Sequence, residues 1–258
     1  MSGAGPASDD PLTAAACGIL AASLAALCHE TIGHGLACHA EGGRLTLLTS
    51  IWFRCSGATS LTYAAGPAAS LAGGLIGLAA LHRSRSAPLR LFLVLFTAFR
   101  LFWFAGQLVS QPITGKDIWA IIAARLQWPA AWQSVAILLG VVTYVAAMRR
   151  IAASVRAAGP RRHAIVTGYA AGTVSAVAAG LMWAAMPARS AIEALQTLGI
   201  APLGLIAIAA MAPNGTDGTG EALVRSNRLI ALSIALFLIF ILIQGRGLGE
   251  LSGTALSL

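Results

Sequence analysis

This chain is poor in charge. Of its 258 residues only 10% are Asp, Glu, Lys or Arg and 9 are acidic, whereas 57% are hydrophobic. The apolar residues come in long unbroken runs rather than at amphipathic spacing, which argues against a soluble globular fold. Four cysteines are too few for a disulfide framework. A basic leader is missing too: Met1–Pro11 carries Asp9 and Asp10 but no Lys or Arg. No cleaved secretory signal is therefore expected, and the first helix is expected to be retained. Internal repeats and low-complexity linkers are absent, so 1–258 is taken as one membrane domain.

The apolar runs lie near Leu12–Leu36, Ala58–Leu81, Leu89–Val109, Ala130–Met148, Ala164–Met186, Ala191–Met211 and Leu229–Gln244. A bilayer core about 30 Å thick needs about 20 apolar residues per helix, because each backbone polar group must be satisfied inside the span. The expected fold is an all-α polytopic membrane protein with six or seven transmembrane helices. Asp117–Trp128 is apolar but short and interrupted by Arg125, which suits an interfacial or re-entrant helix. Pro213–Arg228 reads as a solvated connection.

Between the first two spans, Glu41-Gly42-Gly43-Arg44 is a turn signal, and Leu45–Phe53 is rich in β-branched and aromatic residues. A short β-hairpin is expected there. It offers either an edge for an extended peptide or simply an ordered loop.

The net charge of +8 would suit a nucleic-acid binder, but the arginines fall between the apolar runs, so the bilayer is the expected partner and nucleic acid is not. On the side of the amino terminus lie Arg83, Arg85, Arg90, Arg149, Arg150, Arg156, Arg161, Arg162, Arg225 and Arg228. On the other lie Arg44, Arg54, Lys116, Arg125, Arg189 and Arg246. The excess predicts a cytoplasmic amino terminus. Cys38 and Cys55 then bracket an external loop, as a disulfide or as two free thiols at membrane level. Cys17 and Cys28, within the first span, read as packing residues.

His29, Glu30 and His34 stand within six residues of the first span, in His29-Glu30-Thr31-Ile32-Gly33-His34. Ionisable groups at that depth are costly. A metal site accounts for them: neutral imidazoles ligate Zn²⁺, and a neighbouring carboxylate takes a proton from metal-bound water. The usual zinc-peptidase helix spaces its histidines four apart, about 40° around the axis, whereas five apart gives about 140°. One extra residue absorbed as a π-bulge would return both rings to one face, and Gly33 is placed to permit it. Two other readings stay open. In one, Glu30 and His34 are the ligands with His29 behind them; in the other, the trio is a polar cluster that only joins helices.

The form His-Glu-x-x-Gly-His resembles the zinc motif of dipeptidyl peptidase III over these six residues. Over roughly 20–120 the chain resembles the site-2 protease family of intramembrane zinc metalloproteases, in its short bacterial members. That resemblance rests on His29-Glu30 through His34, on Ala65-Gly66-Pro67 in the second core helix, and on Pro112-Ile113 followed by Asp117. It implies a protein of the bacterial inner membrane with a metalloprotease core at 12–126 and 130–258 as additional helices. By it, His29, His34 and Asp117 hold Zn²⁺ and Glu30 activates water. The chain departs from the family in its longer histidine spacing, in Ile118 where a glycine follows the aspartate, and in lacking the asparagine before the proline. Gln107 or Gln111 would take over that asparagine's role in positioning substrate. Many family members also face this end of the helix to the cytoplasm, the reverse of the arginine count.

Arg100, in Phe99-Arg100-Leu101-Phe102-Trp103, either serves a buried carboxylate or a developing oxyanion, or snorkels to the head groups, the reading preferred on sequence. His39 reads as leaving the helix at the interface rather than as a fourth ligand. Glu193 reads as interfacial, and Gly66, Gly73 and Gly74 as sites of close helix contact. The expected function is an intramembrane zinc metalloendopeptidase acting on a membrane-protein or peptide substrate. The competing expectation is a non-proteolytic metal-binding membrane protein, either a degenerate protease or an assembly factor.

Overall fold

A computed structural model of the chain describes residues 9–115, 117–212 and 222–249. Lys116 and most of the connection expected at Pro213–Arg228 lie outside the described residues.

Among the described residues seven helices are long and apolar enough to cross a membrane, in line with the six or seven expected from the hydrophobic runs. Helix α1 (Pro11–Ala40) is followed by a hairpin of β1 (Arg44–Leu48) and β2 (Phe53–Ser56) and by α2 (Ser60–Leu81). Next come α3 (Ala87–Thr114), the short α4 (Asp117–Arg125), α5 (Trp132–Ala158) and α6 (Arg162–Leu181). Helices α7 (Pro187–Ala210) and α8 (Asn227–Gly245) complete the order. The chain is an integral membrane protein of the polytopic α-helical class. The first helix begins where local chemistry requires, with Asp10 accepting from Thr13 N at 2.8 Å and Pro11 in the first turn.

Helix α3 lies at the centre, with 72% of its most apolar window buried against 22% for α8. Its buried Leu91, Leu95, Phe99 and Phe102 form one core with Ala14, Cys17, Ala21 and Ala25 of α1. Outward-facing residues such as Ile76, Leu138, Val142, Ile239 and Leu242 are exposed. A surface that apolar is stable facing lipid. Where helices cross, small residues do the packing: a Cβ on Gly18 of α1 would run into the carbonyl of Gly168 on α6, so the two backbones touch.

The hairpin is antiparallel, pairing Arg44 with Ser56 and Leu48 with Phe53, with an irregularity between Leu45 and Leu47. Its outer β1 edge is not free. Leu48 and Leu248 exchange both backbone hydrogen bonds, at 2.8 and 2.7 Å, so the chain's own residue occupies the edge at that point. Helix α4, short as expected, packs against α2 and α3. Helix α7 is broken by a π turn at Gln196–Ile200 and by Pro202.

Candidate metal centre

The first helix changes register where the motif stands. Pro11–Ala26 is α-helical, Leu27–Gly35 is a nine-residue π-helix, and Leu36–Ala40 returns to α. Bonding from i to i+5 rotates each residue less than an α-helix does, so residues five apart come back towards one face. His29 and His34 accordingly lie with ring centroids 5.0 Å apart, edge to face. The distortion is longer than a single bulge at Gly33. That glycine has a packing role instead, since a Cβ there would meet the Cα of Gly66 at 2.5 Å.

Both imidazoles are anchored on α2. His29 Nδ1 lies 2.8 Å from Ser70 Oγ, and His34 Nδ1 lies 2.8 Å from the carbonyl oxygen of Thr62. A carbonyl only accepts, so His34 carries its proton on Nδ1 and leaves the Nε2 lone pair uncommitted. That Nε2 is buried without a partner, as is Glu30 Oε2. Glu30 Oε1 stands 4.0 Å from His29 Nε2. Aromatic rings fix the planes: Trp103 stacks on His29 at 4.2 Å and Phe53 on His34 at 3.8 Å. Gly66, of Ala65-Gly66-Pro67, lies against the His34 ring so closely that any Cβ would collide with it. Two of the three sequence features that suggested a protease are therefore in direct contact.

A ring nitrogen held by an oxygen, with the other left open, is how metal-binding histidines are arranged. The donor set thus fits a metal ion at His29 and His34, with the Glu30 carboxylate beside them. The third ligand is a different matter. Among the described residues no three His, Cys, Asp or Glu side chains come together as a metal-binding group, so Asp117 is not brought onto the histidine pair. Asp117 sits just beyond the end of α3 with φ at 73°, in the left-handed region that non-glycine residues seldom adopt. Gln111 holds it there: Nε2 donates to Asp117 Oδ2 at 2.9 Å, and Oε1 accepts from Trp119 N at 3.0 Å. Gln111 is a clamp on the turn. Gln107 is buried, with its Oε1 unpartnered.

The preferred reading of Arg100 is overturned. It does not snorkel: it is 1% exposed and donates to the backbone carbonyls of Ala25 and Ala69. Close helix contacts at Gly73 and Gly74 leave the room it fills, with Arg100 and Leu101 packed against them. His39 is exposed at the end of the helix, as the interfacial reading expects. Glu193 pairs with Arg189 at 3.5 Å.

Cys38 and Cys55 form a disulfide, tying the end of α1 to the strand that carries Phe53. Beside it, Thr59 and Thr62 donate their hydroxyls to the Glu41 carboxylate, lowering its pKa below the ordinary value. Those same threonines cap α2, and Thr62 also receives His34. Sequence reasoning named neither Ser70, Thr62, Trp103 nor Phe53 as part of the site. Nothing in their local sequence distinguishes them from packing residues.

Comparison with protein-family models, curated proteins and solved structures finds no match.

Proposed function

We propose that the chain is an intramembrane zinc metalloprotease, hydrolysing a peptide bond of a membrane-associated substrate. One observation carries the reading. Two buried histidines, brought together by a π-helix and each anchored through Nδ1, stand beside a glutamate oxygen that has no partner. In this reading His29 and His34 hold zinc, and Asp117 is the third ligand, which requires the turn after α3 to close on the histidines. Zinc would supply Lewis acidity towards the scissile carbonyl and lower the pKa of water. Glu30 takes the proton from the attacking water as the new C–O bond forms, then returns it to the departing amide nitrogen as the C–N bond breaks. In this reading Gln107, whose Oε1 has no partner, positions substrate, and Gln111 does so through the turn it clamps. The Cys38–Cys55 bond supports a bacterial inner membrane with the amino terminus in the cytoplasm, because such bonds persist on the oxidising side.

The test is cleavage of single-span reporter peptides reconstituted with the purified protein in liposomes. Glu30→Gln should lower the rate by about 10²–10⁴-fold, the usual worth of a general base, while zinc stays bound. Wild-type cleavage by that variant would contradict the proposal. A second reading, a non-proteolytic metal-binding protein such as a degenerate protease or assembly factor, is favoured because, among the described residues, no third His, Cys, Asp or Glu is grouped with the histidines as a metal-binding set. It predicts zinc without cleavage in the wild type.

A further inference from the structure

The structure assigns Arg100 a role that the proposed chemistry does not use: it is the positioning residue that holds the first helix in π register, and so keeps His29 and His34 on one face. The inference concerns the backbone beneath the site and stands whether or not metal binds.

The π segment begins at Leu27, directly after the last α-helical residue, Ala26. Ala26 caps the π segment, so the carbonyl of Ala25, one residue before it, stands where a bond from four residues on, at His29, gives way to bonds from five residues on. Arg100 Nη1 donates to this same carbonyl at 3.2 Å. An outside donor draws a carbonyl away from the helix axis and loosens its bond to the fourth residue, which lets the ladder lag by one. The guanidinium is itself fixed. Its Nη2 donates to the carbonyl of Ala69 on α2, Gly73 leaves the space for it, and Phe96 lies beneath it with its centroid 5.5 Å away.

The same helix α2 anchors both imidazoles, one residue beyond Ala69 at Ser70 and within its first turn at Thr62. Arg100 therefore ties the register change in α1 to the helix that receives its products. A buried cation in a span carries a large desolvation cost, and Arg100 donates to two backbone carbonyls rather than to a carboxylate. That pairing is what a structural clamp on the backbone requires.

The test replaces His29 and His34 by cysteine in the full chain carrying Cys28→Ser, and measures their cross-linking under mild oxidation by peptide mapping. In α register five residues rise about 7.5 Å, beyond the roughly 7 Å that a disulfide can span. Efficient cross-linking therefore reports the π register without any metal. With Arg100→Met the yield should fall about tenfold, as expected when a charged hydrogen bond is removed from a buried acceptor. Deleting Ile32, which is exposed to the lipid side, shortens the spacing to four and should restore the cross-link in the Arg100→Met background. A purely structural role for Arg100 would not be rescued by that deletion. Formation of the native Cys38–Cys55 bond serves as the folding check. If the methionine variant fails it, Arg100→Lys, which keeps a cationic donor for the Ala25 carbonyl, should cross-link at near wild-type yield. Unchanged cross-linking in folded Arg100→Met, failure of the deletion to rescue it, or a folded lysine variant that does not cross-link would overturn the inference.

Discussion

Gly66 shows how little room the site leaves. Its hydrogen lies where a methyl group would strike the His34 ring, and Gly33 meets it from the other helix. Gly66→Ala should therefore do more than loosen a helix contact. It must push the imidazole off Phe53 and off the Thr62 carbonyl, at an overpacking cost of about 1–3 kcal/mol. Thermal unfolding in detergent should show the loss, and zinc retention should fall with it; a variant as stable and as zinc-loaded as the wild type would show that the ring has freedom the packing denies. The residues that pay this penalty were legible from sequence because His29, Glu30 and His34 are too costly in a span to be incidental. Their supports were not. Ser70, Thr62, Trp103 and Phe53 become partners only through the packing of separate elements, which no local pattern encodes. Arg100 was misread for a related reason: snorkelling is the favourable choice for an isolated helix, and the two carbonyls that hold it inside belong to other spans.

Among the elements, the five-residue histidine spacing made the register change in α1 foreseeable, although a short bulge at Gly33 was expected and nine residues of π-helix are found. The hairpin too was legible, from its turn and β-branched residues. What it does was not: through Cys38–Cys55 it holds Phe53 over His34. Removing a disulfide that closes a loop of this size, 17 residues in sequence, costs about 3 kcal/mol. Reductant should lower the unfolding temperature of the wild type to that of Cys55→Ser and leave the variant unmoved. Equal unfolding temperatures with and without reductant in the wild type would contradict this. The start of α2 adds a pH dependence. The hydroxyls of Thr59 and then Thr62 lower the pKa of Glu41 from its ordinary 4.5. The folded state therefore favours the ionised carboxylate, and the stabilisation is present in full above about pH 4.5 and lost as pH falls through the lower folded value. The stability difference between wild type and Glu41→Gln should shrink on acidification over that range; a difference that widens instead would reverse the sign of the argument.

At the scale of the whole molecule, the apolar runs pointed to six or seven membrane helices, because a bilayer imposes their length and leaves little choice of secondary structure. Helix order followed from the runs. Which helix lies at the centre did not, since α3 is as apolar as α5 and α7, which are far less buried. The buried position of α3 is what brings Trp103 to His29, and the account rests on that assembly placing two histidines ready for a metal. The most direct measurement is the zinc content of purified wild-type protein beside His34→Ala. Stoichiometric zinc is expected in the wild type and its loss in His34→Ala, with the Cys38–Cys55 bond intact in both. A folded wild type without stoichiometric zinc, or a His34→Ala variant that keeps it, would contradict the central claim.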